Sequence, residues 1–266
     1  MTEAPIALFD SGSGGLAVLN HLHYRLPSES ILYLGDLAHF PYGEKSREAL
    51  IGYCLENGRF FERMGAKMLI VGCNTASAFC LQALKESLKI PVIGLIEPCA
   101  KKVAKSQQGK VGILATQSTI RSQSYENAIR VLCPNISLFP KACPTLAYLI
   151  ENGLNNHSAT PFVVEAAIDK FKKENVDTLV LACSHYPLIL HHIKKALGDK
   201  ISIVDSTESC IDDIVDLLKT HNLKNPSLKK GSERFFVSAQ PDTLFNLAPL
   251  FLGRQIPYPE VIKSIQ

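Results

Sequence analysis

Two cysteines in this chain share a setting that suits proton transfer. Leu69-Ile70-Val71-Gly72-Cys73-Asn74-Thr75-Ala76 and Leu179-Val180-Leu181-Ala182-Cys183-Ser184-His185-Tyr186 have one layout: an apolar run, a small residue, a cysteine and two polar residues before a helical stretch. A thiol at that point meets unpaired N–H groups and the positive end of a helix dipole, which favour a thiolate or a bound carboxylate. Tuned toward neutrality, such a thiol can give or take a proton near physiological pH. The competing reading is a buried, inert thiol, the usual fate of cysteine. That reading suits Cys54, Cys80 and Cys133 better than a pair placed alike in two similar units.

Polar groups gather at other strand ends. The first apolar run closes on Phe9-Asp10-Ser11-Gly12-Ser13-Gly14-Gly15. Its glycines match neither a P-loop nor the dinucleotide fingerprint, so a nucleotide site is unsupported. Asp10 and Ser11 instead offer a carboxylate and a hydroxyl suited to an ammonium and a carboxylate. The plainer alternative is capping by Ser11 or Ser13, with the glycines there for tight packing. The second run leads into Gly35-Asp36-Leu37-Ala38-His39-Phe40-Pro41-Tyr42-Gly43, whose turn formers leave Tyr42 at a loop tip with backbone N–H groups free to face a ligand. Asn74, Thr75, Ser184 and His185 add amide, hydroxyl and imidazole groups beside the cysteines, although Asn74, Thr75 and Ser184 would serve equally as N-caps.

Composition excludes several function classes. Hydrophobic residues make up 46% and charged residues 20% of 266, the profile of a globular protein with a real core. With 28 basic against 25 acidic side chains, a net charge of +3 is too slight for a nucleic-acid surface. The Lys229-Lys230 pair reads as a solvated loop. The N-terminus carries no secretory signal pattern, and the apolar runs are too short to span a membrane. A soluble, cytoplasmic protein with reduced thiols is expected. The 8 cysteines show no C-x-x-C or paired-ligand spacing, so neither a zinc site nor any other metal is expected.

Strand-length runs at Ile6–Asp10, Ile31–Asp36, Lys67–Cys73, Val92–Ile96, Lys110–Thr116, Ile136–Ala142, Thr178–Cys183, Ile201–Asp205 and Arg234–Ala239 alternate with amphipathic helical segments. In Ser46–Met64, for example, Ala49, Leu50, Tyr53, Cys54, Asn57 and Phe60-Phe61 fall along one side. This alternation predicts an α/β fold with parallel sheets and helices on both faces. The chain turns near Ile96-Pro98 and near Asp205–Ser209, giving a first lobe of residues 1–96 plus 207–266 and a second of 97–206.

These segments together resemble the glutamate racemase family. The matching runs are Phe9-Asp10-Ser11-Gly12-x-Gly14-Gly15-Leu16, Gly35-Asp36 with Pro41-Tyr42-Gly43, Cys73-Asn74-Thr75-Ala76, Pro91-Val92-Ile93-Gly94 with Glu97-Pro98, and Cys183-Ser184-His185-Tyr186-Pro187-Leu188. The resemblance implies two pseudo-symmetric α/β lobes with the active site between them, and no cofactor. It implies an enzyme that makes D-glutamate for bacterial peptidoglycan precursors, with Cys73 and Cys183 as the two proton donor/acceptors. Asp10-Ser11, Tyr42-Gly43, Asn74-Thr75 and Ser184-His185 would bind glutamate, Asp10 and His185 would assist the thiols, and Glu151 would lie near the ammonium group. The partner implied is glutamate itself, with a homodimer left open and no nucleic acid or membrane. The chain departs from the family pattern at Leu37, His39, Phe40, Cys99, Ala182 and Ser184. Rival readings are an aspartate racemase, a cysteine hydrolase using Cys183 and His185, and a non-enzymatic amino-acid-binding module. The hydrolase is disfavoured because residues two apart at a helix start rarely face each other, and the binding module leaves the mirrored thiols unexplained.

Overall fold

Apolar runs such as Ile6-Ala7-Leu8-Phe9 and Thr178-Leu179-Val180-Leu181-Ala182 are buried at every position, as strands must be when helices cover both faces of a sheet. A computed structural model of the chain describes residues 2–106, 109–198 and 200–262. Its strands are β1 (Ile6–Asp10), β2 (Ile31–Gly35), β3 (Met68–Val71), β4 (Val92–Ile93), β5 (Lys110–Ala115), β6 (Ser137–Ala142), β7 (Thr178–Ala182), β8 (Ser202–Asp205), β9 (Glu233–Val237) and β10 (Glu260–Val261). Six form one sheet in the order β10-β9-β2-β1-β3-β4, and four form another in the order β6-β5-β7-β8. Every ladder among the described residues is parallel.

The two sheets are built on one plan. The run β2-β1-β3-β4 has the same order as β6-β5-β7-β8, so β3 and β7 are topological equivalents. Cys73 follows the first and Cys183 the second. The sequence echo around the cysteines is thus a repeat of position in the fold, and it places both thiols at the carboxyl edge, where parallel α/β sheets bind ligands.

Two differences from the sequence-based expectation concern strand ends. Residues Gly94–Ile96 do not extend β4, because Ile96 opens the helix Ile96–Lys105 with Pro98 in its first turn, where a missing N–H costs nothing. The two-residue β10 was not foreseen. It pairs parallel to β9 and carries no apolar pattern, since both its residues are exposed. The helix Arg47–Arg63 follows its pattern: Ser46 Oγ accepts from Ala49 N at 3.2 Å, and Leu50, Cys54, Asn57, Gly58 and Phe61 form the buried face.

One core packs under the first sheet around Phe9, Leu34, Val71 and Phe61, and another under the second around Val111, Ile113, Tyr125 and Val180. A third is shared. It joins Leu8 and Ile70 of the first sheet to Leu114 and Leu181 of the second through Leu16, Leu146 and Ile214. This continuous apolar packing ties the two halves together and fixes how their strand ends confront each other.

Candidate active site

The loop after β1 is held from both sides. Asp10 Oδ1 accepts from Gly12 N at 2.9 Å, and Tyr33 Oη donates to the Gly12 carbonyl at 2.7 Å. Neither Ser11 nor Ser13 caps the following helix, which begins behind Gly15 without a side-chain cap. Ser13 turns to the other lobe and gives Glu151 its N–H (3.0 and 3.1 Å) and its hydroxyl (2.7 Å). The glycines answer to the same contact. A Cβ on Gly12 would stand 2.8 Å from Glu151 Oε1, and one on Gly14 would stand 2.5 Å from Ser184 Oγ and 2.6 Å from His185 Nδ1. The glycine-rich loop is therefore an inter-lobe docking surface rather than a phosphate cradle.

Each thiol has its own acid–base neighbour. Cys73 Sγ lies 3.7 Å from Ser11 Oγ, whose hydroxyl donates to Asp10 Oδ1 at 3.3 Å. Cys183 Sγ lies 3.8 Å from His185 Nδ1, and the other ring nitrogen meets Glu151 Oε2 at 2.5 Å. The expectation that Cys183 and His185 would not face each other is thus corrected: Cys183 lies beyond the end of β7 and its neighbours do not start a regular α-helix, so the turn brings the ring back onto the sulfur. Both thiols are buried, with 5% and 4% of Cys73 and Cys183 exposed. Burial, and then the nearby Asp10 carboxylate, push the Cys73 thiol well up, which keeps it protonated. Burial pushes Asp10 up as well, against His185 and the hydrogen bond from Ser184. For His185 burial favours the neutral ring, but the bonds to Cys183 and Glu151 outweigh it and hold the imidazole well above its ordinary value.

Ser11, Tyr42, Gly43, Cys73, Asn74, Thr75, Cys183, Ser184 and His185 line one cavity, joined by Phe40, Pro41, Thr116 and Ala147. Asp10 and Glu151 stand behind this wall. Glu151, expected near a substrate ammonium, has its carboxylate engaged by Ser13 and by the His185 ring. Tyr42 is no exposed loop tip. It is 1% exposed and its hydroxyl donates to Asp36 Oδ2 at 2.5 Å. Asp36 also accepts from His39 Nδ1 at 2.8 Å and Ser238 Oγ at 2.7 Å, which ties the loop to β9. Phe40 tilts over His185 with centroids 5.8 Å apart.

Asn74, Thr75 and Ser184 cap nothing; they bridge the lobes. Ser184 Oγ donates to Asp10 Oδ2 at 2.7 Å. With its carboxamide turned to satisfy both ends, Asn74 accepts from Cys183 N (3.3 Å), Ser184 N (3.2 Å) and Ser206 Oγ (3.1 Å) and donates to Tyr125 Oη (2.5 Å). Thr75 Oγ1 meets Thr116 Oγ1 at 3.0 Å and Thr119 Oγ1 at 3.1 Å. Sequence reasoning passed over these last two. The signal lay in the repeat: Thr116 follows β5 as Ser11 follows β1, its topological equivalent.

Such an arrangement presents a thiol from each of two equivalent strand ends to a common space, with hydroxyl and amide donors around it. Among the described residues no group of three or more His, Cys, Asp and Glu side chains could hold a metal ion. The model of the Asp/Glu/Hydantoin racemase family matches residues 17–214. The chain belongs to that family. Among racemases of known sequence, the glutamate racemase of Geobacter metallireducens is 38% identical over 252 residues, covering 94% of this chain and 93% of the relative. Among solved racemases, glutamate racemase isoform RacE1 from Bacillus anthracis superposes with a TM-score of 0.94 at 37% identity, covering 99% of both chains. The Francisella tularensis glutamate racemase, solved in complex with D-glutamate, gives 0.92 at 31% identity over 100% of this chain and 99% of that one.

Proposed function

We propose that this racemase interconverts L- and D-glutamate without a cofactor, in the cytoplasm, and supplies D-glutamate for peptidoglycan precursors. The observation that carries the reading is the pair of thiols from β3 and β7, lining one cavity and each backed by a different acid–base partner. Inversion needs a base on one face of the α-carbon and an acid on the other, with the roles exchanged in reverse.

In the direction from L-glutamate, Cys183 Sγ removes the α-proton, with the His185 imidazole, held by Glu151, beside the sulfur. Cys73, kept protonated, gives its proton to the opposite face. The forward step leaves Cys73 as thiolate and Cys183 as thiol, and from D-glutamate these exchange roles: the Cys73 thiolate, beside the Asp10–Ser11 pair, removes the α-proton and Cys183 protonates the opposite face. The negative charge of the carbanion spreads onto the α-carboxylate. Ser11, Asn74, Thr75 and Ser184, once released from their bonds to Asp10, Tyr125 and Thr116 as substrate enters, are the side-chain donors that would stabilise it, with backbone N–H groups of the Tyr42-Gly43 loop. Donors that tighten as charge develops serve the rate better than a full positive charge that would bind the ground state equally well.

Cys183, His185 and Glu151 are also arranged as a nucleophile, base and orienting group, the pattern of a cysteine hydrolase. That reading gives no task to Cys73 and its Asp10 partner. Proton NMR of L-glutamate in D2O with the protein and no added cofactor separates the two. The racemase reading expects loss of the α-proton signal and growth of D-glutamate. Retention of the α-proton over long incubation contradicts it.

A further inference from the structure

The cavity between the thiols holds only about 20 Å³ as the lobes stand, room for a water molecule and not for an amino acid. Outside it lies a second cavity of about 580 Å³, well within the range of small-molecule sites. The two share Pro41, Gly43, Thr116 and Ala147 in their walls, so they adjoin. Two charged side chains line the larger cavity. Arg121, exposed near the end of the helix Gln117–Ser122, lies on the second-lobe wall, and Glu44, also exposed, on the loop after Tyr42. Among the described residues the arginines paired with carboxylates are Arg25, Arg234 and Arg254, so the Arg121 charge is not spent on a neighbouring acid.

Resting on the glutamate reading above, we propose that this outer cavity is a vestibule in which Arg121 draws in the dicarboxylate substrate and holds a carboxylate before the lobes part to admit it. Glutamate carries two carboxylates and one ammonium, and the vestibule wall offers a cation, Arg121, and an anion, Glu44. A cationic group at the mouth of a low-dielectric cleft raises the local concentration of an anionic substrate and speeds its capture, and salt weakens the effect. Arg121 touches none of the groups that move protons. Its influence belongs to capture and not to chemistry.

The test is steady-state racemisation by wild type, Arg121→Gln, Arg121→Glu and Arg121→Lys at low and high ionic strength. At low salt, Arg121→Gln is expected to lower kcat/KM about three- to tenfold with kcat held within about twofold, and Arg121→Glu to lower it further. Arg121→Lys should restore most of the loss, because charge and not guanidinium shape is required. The differences should shrink as salt rises. An Arg121→Gln variant equal to wild type at low salt, or a loss that persists undiminished at high salt, overturns the vestibule while leaving the racemase reading in place. A wild-type protein that leaves L-glutamate unchanged overturns both.

Discussion

His185 sits between a thiol and a carboxylate, and that position makes two separate predictions. Replacing it with glutamine should cut kcat/KM by about 10²–10⁴-fold, the usual worth of a positioned acid–base group. Because the equilibrium constant of a racemase is fixed by symmetry, kcat/KM falls equally for both enantiomers whatever the residue does, so the size of the loss is the test, and a His185→Gln variant with wild-type kcat/KM would contradict the assignment. The second concerns stability. The folded protein holds the imidazole well above its ordinary value of 6.5, so its contribution is fully present below that pH and is lost as pH rises through the folded value. Denaturant unfolding of wild type and His185→Gln should therefore show a wild-type advantage that shrinks from acid to alkaline pH. An advantage that grows would reverse the sign of the coupling. At this scale much was legible in the sequence. The thiols and their polar neighbours announce themselves by type and adjacency. What each side chain bonds does not, since Asn74 to Cys183 N, Ser13 to Glu151 and Thr75 to Thr116 are long-range pairings between lobes.

At the scale of elements, the loop after β1 owes its glycines to the other lobe. Gly14→Ala would place a methyl carbon within 2.6 Å of both Ser184 Oγ and His185 Nδ1, and neither can retreat without losing Asp10 or Glu151. We expect a loss of activity of at least about tenfold with the far-UV circular dichroism unchanged, since misplacement of the site by an ångström or less is costly. Gly52 is the control. It lies in the helix Arg47–Arg63 with nothing within 4 Å of its Cβ direction, so Gly52→Ala should stabilise the fold by about 0.5–1 kcal/mol and leave activity alone. If the two variants behave alike, the inter-lobe contact is not what the glycine serves. The strands themselves were readable because buried parallel strands are continuous apolar runs with β-branched residues. The pair β10 was not, because two exposed residues at a sheet edge carry no pattern.

For the whole molecule, the lobe division of residues 1–96 with 207–266 against 97–206 stands as a proposal. It follows the sheets, since β1–β4, β9 and β10 make one and β5–β8 the other. A repeated strand order gives each lobe one thiol at an equivalent point, and facing the lobes across a cavity sets those thiols on opposite sides of whatever lies between. On the proposed mechanism, one chemical task is divided between two halves of the fold, one face of the α-carbon to each. Serine is too weak an acid and base at neutral pH to replace either thiol, so Cys73→Ser and Cys183→Ser should each lose racemisation in both directions. Each keeps one base. Hydrogen exchange at the α-carbon in D2O, followed by NMR for each enantiomer separately, reads which base remains. Cys73→Ser is predicted to exchange the α-proton of L-glutamate slowly and not that of D-glutamate, and Cys183→Ser to do the converse. A variant that racemises normally, or two folded variants that exchange neither enantiomer, would contradict the division.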